Sequence, residues 1–273
     1  SVQALYDAVT VAPTVTLLPT HVSYSTLVAH YSFDDGTAAE DGDGSLDGTI
    51  RGAAPTIGRD GGGALAFDGT DDYVEFPAAV TSDILGSSAR TVCLWARVDA
   101  FDGGTLFSYD SNDSGERFGF TTETAAGEFR LLGYGSSYDI KNIEAPGSDD
   151  GGWHHYCHAY DGTVWRFYVD GAPARAEALA LDTGSDNPLT LAVRYSGGYG
   201  DYFTGAIDDV AVYAGAMDAA AVAALRDAAA APTAAPTVTP RPTHVSHPTL
   251  VAHYSFDDGT AAEDSDGSLD GPL

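Results

Sequence analysis

An all-β fold, an antiparallel jelly-roll β-sandwich with one short C-terminal helix and extended Pro/Thr-rich terminal segments, follows from three observations. Short alternating apolar runs recur through the chain, glycine and aspartate punctuate them, and only one stretch has helical character. The runs include "ARTVCLWARVDA", "EFRLLGYGSS", "GWHHYCHAYDGTVWRFYVDGAP" and "GAIDDVAVYAG". Many short strands, glycine-rich turns and a single helix leave a sandwich or jelly roll as the layer architecture.

The first element of the body, "LVAHYSFDDGTAAED" at residues 27–41, returns unchanged at 250–264. Over 27–48 and 250–271 the match is 21 of 22 positions, with Gly42 against Ser265 the exception. A repeat of this kind points to tandem modules. The opening "SVQALYDA" resembles "AVAALRDA" at 221–228, Leu5 and Asp7 falling on Leu225 and Asp227. The expected organisation is the tail of a preceding repeat at 1–8, a Pro/Thr linker at 9–26 and the β domain at 27–228. A Pro/Thr/Ala-rich linker at 229–249 and the start of the next repeat at 250–273 complete it. Proline fixes φ and removes backbone donors, so both linkers favour extended spacers. Thr and Ser beside Pro is also the composition of O-glycosylated stalks. The candidate acceptors are Thr14, Thr16 and Thr20 in the first linker, and Thr233, Thr237, Thr239 and Thr243 in the second.

Within the body, Asp161-Gly162 supplies a hairpin turn, because glycine accepts the positive φ that such turns need. Past it, Trp165, Phe167 and Val169 share one face and Arg166 and Tyr168 the other. The helical stretch is "DAAAVAALRDAAAA" at 218–231, alanine-rich, with Asp218 placed to cap its N-terminus.

Charge narrows the partners. Forty acidic against twelve basic residues give −28, a surface that repels nucleic acid and anionic lipid and attracts divalent cations. No apolar run is long enough to span a bilayer, so no membrane insertion is expected.

Five motifs in order, "LVAHYSFDDGTAAEDGDGSLDGTI", "GGGALAFDGTDDYVEFP", "RTVCLWARV", "WHHYCHAYDGTVWRFYVDG" and "GAIDDVAVYAGAM", resemble the laminin-G-like, concanavalin A-like jelly roll of extracellular multidomain proteins. The resemblance covers about residues 27–228. It implies two antiparallel sheets with the first strand, here 28–34, beside the last, here 206–213. It also implies an extracellular or cell-surface setting. It leaves function open, since this fold carries lectins, adhesion modules, spacers and glycan hydrolases.

Relatives often hold calcium near acids like those in these motifs, and calcium wants six to eight oxygen ligands. The candidates are Asp34 and Asp35, Asp68, Asp71 and Asp72, and Asp208 and Asp209, which converge if the terminal strands pair. Turn formation by the same aspartates is the alternative. Calcium is the one candidate cofactor. In "WHHYCHAY", His154 and His158 point one way and His155 the other, so no transition-metal set forms. The resemblance puts Cys93 and Cys157 in one sheet, where they form either a cross-strand disulfide or two separate thiols.

For glycans, Tyr134, Tyr138, Tyr195, Tyr199 and Tyr202 stand in Gly/Ser-rich segments, as sugar-stacking aromatics would. Asn112 in "NDS" is the N-glycosylation candidate. No G-x-S-x-G, H-E-x-x-H or phosphate loop appears, and no pair of acids is spaced on a strand for glycoside cleavage. The expectation is therefore no enzyme, but a structural or adhesive module of an extracellular fibre. Its subunits would join head-to-tail, with Leu250, Val251, Ala252, His253, Tyr254, Ser255 and Phe256 added as a strand to a neighbouring copy. The alternative is a carbohydrate-binding module of a larger surface protein, its partners being glycans; a glycan hydrolase is the third.

Overall fold

The structure, a computed structural model, describes residues 26–39, 44–110 and 112–230, and the backbone of 254–255 and 262–263. The first strands are β1 (Leu27–Tyr31), β2 (Thr49–Arg51), β3 (Ala54–Ile57), β4 (Gly63–Asp68) and β5 (Tyr73–Glu75). Then come β6 (Arg90–Val98), β7 (Thr105–Asp110), β8 (Arg117–Thr122), β9 (Glu128–Leu132) and β10 (Ile140–Glu144). The third group is β11 (His154–Tyr160), β12 (Val164–Val169), β13 (Ala172–Ala178) and β14 (Asn187–Leu191). The short β15 (Arg194–Tyr195) and β16 (Tyr199–Gly200), the long β17 (Thr204–Tyr213) and the helix α1 (Ala219–Ala230) close the domain.

Two antiparallel sheets face each other. One runs β13-β12-β11-β6-β17-β4-β3 with β1 also on β17; the other runs β10-β9-β8-β7-β14-β5-β2. Strand alternation explains the interior. Trp165 and Phe167 on β12, Tyr156 and His158 on β11, Phe118 and Phe120 on β8 and Phe129 on β9 are all fully buried or nearly so. Phe120 stacks on Phe129 at 4.7 Å between centroids, and His158 packs on Phe120 at 4.1 Å. Each such aromatic contributes roughly 2–3 kcal/mol of apolar burial. Tyr168 faces the other way, into a second cluster beneath α1 with Tyr213, Met217, Val222 and Leu225.

The turn at Asp161-Gly162 forms through the Asp161 carboxylate, which accepts from the amides of Thr163 and Val164 at 3.0 and 2.8 Å; Gly162 has φ +96°. Asp218 caps α1, its Oδ1 accepting from the amide of Ala221 at 2.9 Å.

The long strand β17 organises the site region. Along one side it pairs with β6 throughout. Along the other its first half pairs with β4, Thr204 to Ile207, and its second half with β1, Val210 to Tyr213. The register against β6 slips between Asp208 and Ala211, a β-bulge, and Asp209 there has φ +47°, a conformation that aspartate tolerates better than most residues. Where β1 gives way to β4, Gly63 packs so closely that a Cβ would lie 2.3 Å from the Phe33 carbonyl oxygen. Only glycine fits there.

The proposed assembly strand, Leu250–Phe256, and the threonines of both linkers lie outside the described residues, apart from one backbone ladder: β18 (Tyr254–Ser255) pairs with β19 (Ala262–Glu263). In the first copy the equivalent Tyr31 pairs with Val210 of β17 instead.

Candidate functional site

Two places gather polar side chains. The first is the bulge of β17. Asp209 is buried, its Oδ1 3.2 Å from Nε2 of His30 and its Oδ2 accepting from Nε of Arg59 at 2.9 Å and from the same guanidinium's Nη2. Burial pushes its carboxyl up, but the His30 hydrogen bond and the Arg59 charge outweigh that and hold it below the usual range. Its neighbour Asp208 accepts from the Arg59 backbone amide at 3.1 Å. Burial first, and then the adjacent Asp209 charge, push the Asp208 carboxyl up to about 8. The Arg59 guanidinium lies over Trp95 at 4.8 Å, and Trp95 meets His155 at 5.2 Å. Burial lowers the His155 imidazole to about 4, which keeps it neutral at physiological pH.

These two aspartates do not fit calcium. Both oxygens of Asp209 are spent on protein donors, and a guanidinium stands where a dication would go. The remaining candidates are dispersed. Asp34 accepts from the amide of Gly63 at 2.9 Å and so ties the end of β1 to the start of β4, while Asp35 accepts from the amide and hydroxyl of Thr37 at 2.9 and 2.7 Å and shapes a turn. Asp68, Asp71 and Asp72 do cluster, with ligand oxygens within 4.8 Å of one another, although Asp68 and Asp72 also accept amides of their own loop at 2.8 and 3.0 Å. The structure thus parts the seven acids into three places instead of one.

The raised Asp208 has a consequence for pH. Its proton is held in the folded state up to about 8 and released in the unfolded chain near the ordinary carboxyl value of 3.8. The stability from this group is therefore complete below about pH 4 and is lost as pH rises toward 8. Asp208→Asn mimics the protonated form, so its stability relative to the wild type is expected to climb through that window by a few kcal/mol. Urea unfolding at about pH 5, 7 and 9 reads this. An offset that stays constant across the series would overturn the assignment.

Cys93 and Cys157 sit directly opposite on β6 and β11 and are joined as a disulfide, Cα atoms 4.1 Å apart. His155 lies beside it, Nε2 3.6 Å from the Cys157 sulfur. His158 is instead enclosed in the core, where its Nδ1 accepts from the Trp165 indole at 3.1 Å. His154 bridges Asp170 and Asp150 at 2.8 and 3.2 Å.

The second place is a groove of about 530 Å³ on the outer face of the seven-stranded sheet. Alternation builds it: β8 and β9 send Phe118, Phe120, Phe129 and Leu131 inward, which leaves Arg117, Thr121, Arg130 and Leu132 on the groove side. The loop at Asp102–Gly104, the segment Tyr134–Asp139 and the β15–β16 hairpin supply the walls. Arg130 forks onto Glu123 with Nε–Oε1 2.7 Å and Nη2–Oε2 2.8 Å. Arg194 likewise pairs with Asp201, Nε to Oδ2 2.8 Å. The Arg130 hydrogen bond holds the Glu123 carboxyl below its usual value despite partial burial.

Arg117 is nearly inaccessible and ties three segments together. Its Nη2 donates to Oδ1 of Asn112 at 3.0 Å and to the Tyr195 carbonyl at 3.1 Å, and its guanidinium lies 4.8 Å from the centre of the Tyr134 ring. Tyr134 itself has φ +62°, a posture secured by Asp139, which accepts the amides of Gly133 and Tyr134 at 3.1 and 3.0 Å.

Of the five tyrosines singled out in the sequence, Tyr134 and Tyr202 line the groove. Tyr138 packs against Gly115 and Gly133. Tyr195 and Tyr199 meet edge-on at 5.2 Å, and Tyr199 stacks on Tyr73 at 4.5 Å while donating its hydroxyl to Glu75 at 2.5 Å. Asn112 is exposed and accepts from the groove's Arg117. The arginine–carboxylate pairs were not anticipated; the sole signal for them was arginine placed on outward-facing positions of strands.

The groove thus sets the rings of Tyr134 and Tyr202 beside two arginine–carboxylate pairs on one face of the sandwich. The family model of the concanavalin A-like lectin/glucanases superfamily, laminin G type, matches residues 68–223, more than half of the chain, and the chain belongs to that family. No curated protein sequence matches it. Among solved structures it is similar to domain 4 of AbnA, a GH43 extracellular arabinanase from Geobacillus stearothermophilus, in complex with arabinotriose. That likeness has a TM-score of 0.58 at 21% identity over 74% of this chain and 98% of that one. It is similar as well to the binding domain of Paraclostridial Mosquitocidal Protein 1, TM-score 0.58 at 13% identity over 74% of this chain and 52% of that one. The binding domain of Botulinum Neurotoxin DC in complex with SialylT gives 0.54 at 15% identity over 75% and 52%. The chain thus spans about half the length of the two toxin binding domains. At these identities the likeness shows the fold.

Proposed function

We propose that this domain is a carbohydrate-binding module of a larger extracellular or surface protein, with glycan seated in the groove of the seven-stranded sheet. The observation that carries the reading is the groove itself: Tyr134 and Tyr202 beside two arginine–carboxylate pairs. Tyrosine faces stack on the C–H faces of sugars, and forked pairs present donors and acceptors at the spacing of vicinal hydroxyls. Domains of similar fold solved in complex with arabinotriose and with SialylT support it. The buried disulfide supports an oxidising, extracellular setting.

The role is binding and not turnover. An acid catalyst for glycosides needs a carboxyl with a raised pKa, whereas Glu123 in the groove is held ionised by Arg130. Of the carboxyls raised among the described residues, Asp208 is 3% exposed and belongs to the other sheet, and Asp72 stands in the loop before β5, outside the groove lining. The near-identical repeat gives the reading a further consequence: linked copies raise avidity without any new contact. The head-to-tail fibre expected from the sequence depends on residues 250–256, of which only the backbone of 254–255 is described, and does not enter this reading.

Tyr134→Ala and Tyr202→Ala are each expected to weaken binding of an oligosaccharide about tenfold, the worth of one stacked ring. Calorimetric titration with neutral arabino-, xylo- and galacto-oligosaccharides measures it. Wild-type protein that releases no heat with any of them, and binds none on a broad glycan array, would sink the proposal.

A further inference from the structure

We infer that the groove selects neutral glycans and rejects acidic ones, a statement about ligand class that rests on the binding reading above. The guanidinium groups along it are already engaged. Recognition of a sialic acid carboxylate, a uronate or a sulfate calls for an arginine fork free to close on the anion. Three arginines border the groove, and none presents a free fork. Arg130 already closes both Nε and Nη2 on the two oxygens of Glu123. Arg194 closes Nε and Nη2 on Asp201. Arg117 is 1% exposed and turned onto Asn112, the Tyr195 carbonyl and the Tyr134 ring.

The carboxylates exceed the arginines. Asp102, Glu123, Asp139 and Asp201 line the groove against Arg117, Arg130 and Arg194. An incoming anion would therefore displace Glu123 or Asp201 from its partner, or lie beside a carboxylate with its charge unmatched. The whole chain, at −28, adds a repulsive field at longer range. A neutral sugar meets no such barrier. Arg130 and Arg194 each keep N–H donors beyond the two engaged, and their carboxylate partners keep lone pairs, so one pair can serve both a donating and an accepting hydroxyl. Tyr134 and Tyr202 supply the apolar faces.

The test is an array carrying neutral arabino-, xylo-, gluco- and galacto-oligosaccharides alongside sialylated, uronate-containing and sulfated glycans, probed with the full chain. Binding to neutral members, with matched acidic counterparts at least about tenfold weaker, supports the inference. Acidic glycans bound as tightly as or more tightly than their neutral counterparts would overturn it while leaving carbohydrate binding intact. No glycan bound at all overturns both. Glu123→Gln adds an arm that a merely structural role would not reproduce: freeing the Arg130 fork should raise acidic-glycan signals about tenfold relative to neutral ones. If neutral and acidic signals fall together in that variant, the pair does not set selectivity and the inference fails.

Discussion

Asp209→Ala is expected to cost the domain about 3–5 kcal/mol, the range for removing one partner of a buried ion pair. The side chains of Arg59 and His30 are 5% and 2% exposed, so neither can recover hydration once the carboxylate is gone. The loss is compounded by the backbone. Asp209 holds φ +47° at the bulge, where alanine is strained and aspartate is tolerated. Urea unfolding of the variant at neutral pH gives the number. A loss below about 1 kcal/mol, the scale of a surface pair, would show that the cluster is solvated rather than buried.

Breaking the Cys93–Cys157 bond is expected to cost about 4 kcal/mol, from the chain entropy returned to the unfolded state by a loop of this length. The cysteines are 64 residues apart and both sulfur-bearing side chains are buried under α1. Unfolding midpoints with and without reductant should separate for the wild type and coincide for Cys93→Ala/Cys157→Ala. If reduction leaves the wild-type midpoint unmoved, the bond is either inaccessible to the reductant or energetically idle. Mass-spectrometric thiol labelling of the same samples tells those two apart, and only labelled yet unshifted protein contradicts the expectation.

The sheet content was legible in the sequence because alternation leaves a local trace. Trp165 and Phe167 inward with Tyr168 outward, the Asp161-Gly162 turn and the Asp218 cap are all set within a few residues. The pairing of first and last strands came from family resemblance, and β1 lies on β17. Long-range electrostatics left no such trace. Asp208 and Asp209 read as calcium candidates because the chain shows acids and not what they meet. Arg59, which occupies Asp209, is 150 residues away in sequence.

The groove was hidden for the same reason. Its lining comes from four stretches, near 102–104, 117–124, 130–139 and 194–202, and their union depends on sheet order, not on spacing. Tyrosines in glycine-rich loops were a correct pointer to the region. Which of them face the groove was decided by the positive φ at Tyr134 and by the stacking of Tyr199 on Tyr73, neither of which composition records.

The placement of β1 against the second half of β17 also governs how the domain answers tension. Leu27, where the chain enters, pairs with Tyr213, where it leaves the sheet, and Ala214 donates its amide to the Thr26 carbonyl at 2.8 Å. Entry and exit therefore sit on the same rung of an antiparallel ladder. A pull applied through both flanking linkers opens that ladder like a zip, loading one backbone hydrogen bond at a time instead of shearing all of them together. Strung in tandem, such domains would act as extensible links that yield in sequence under load, with the Cys93–Cys157 bond setting how much chain each one can pay out.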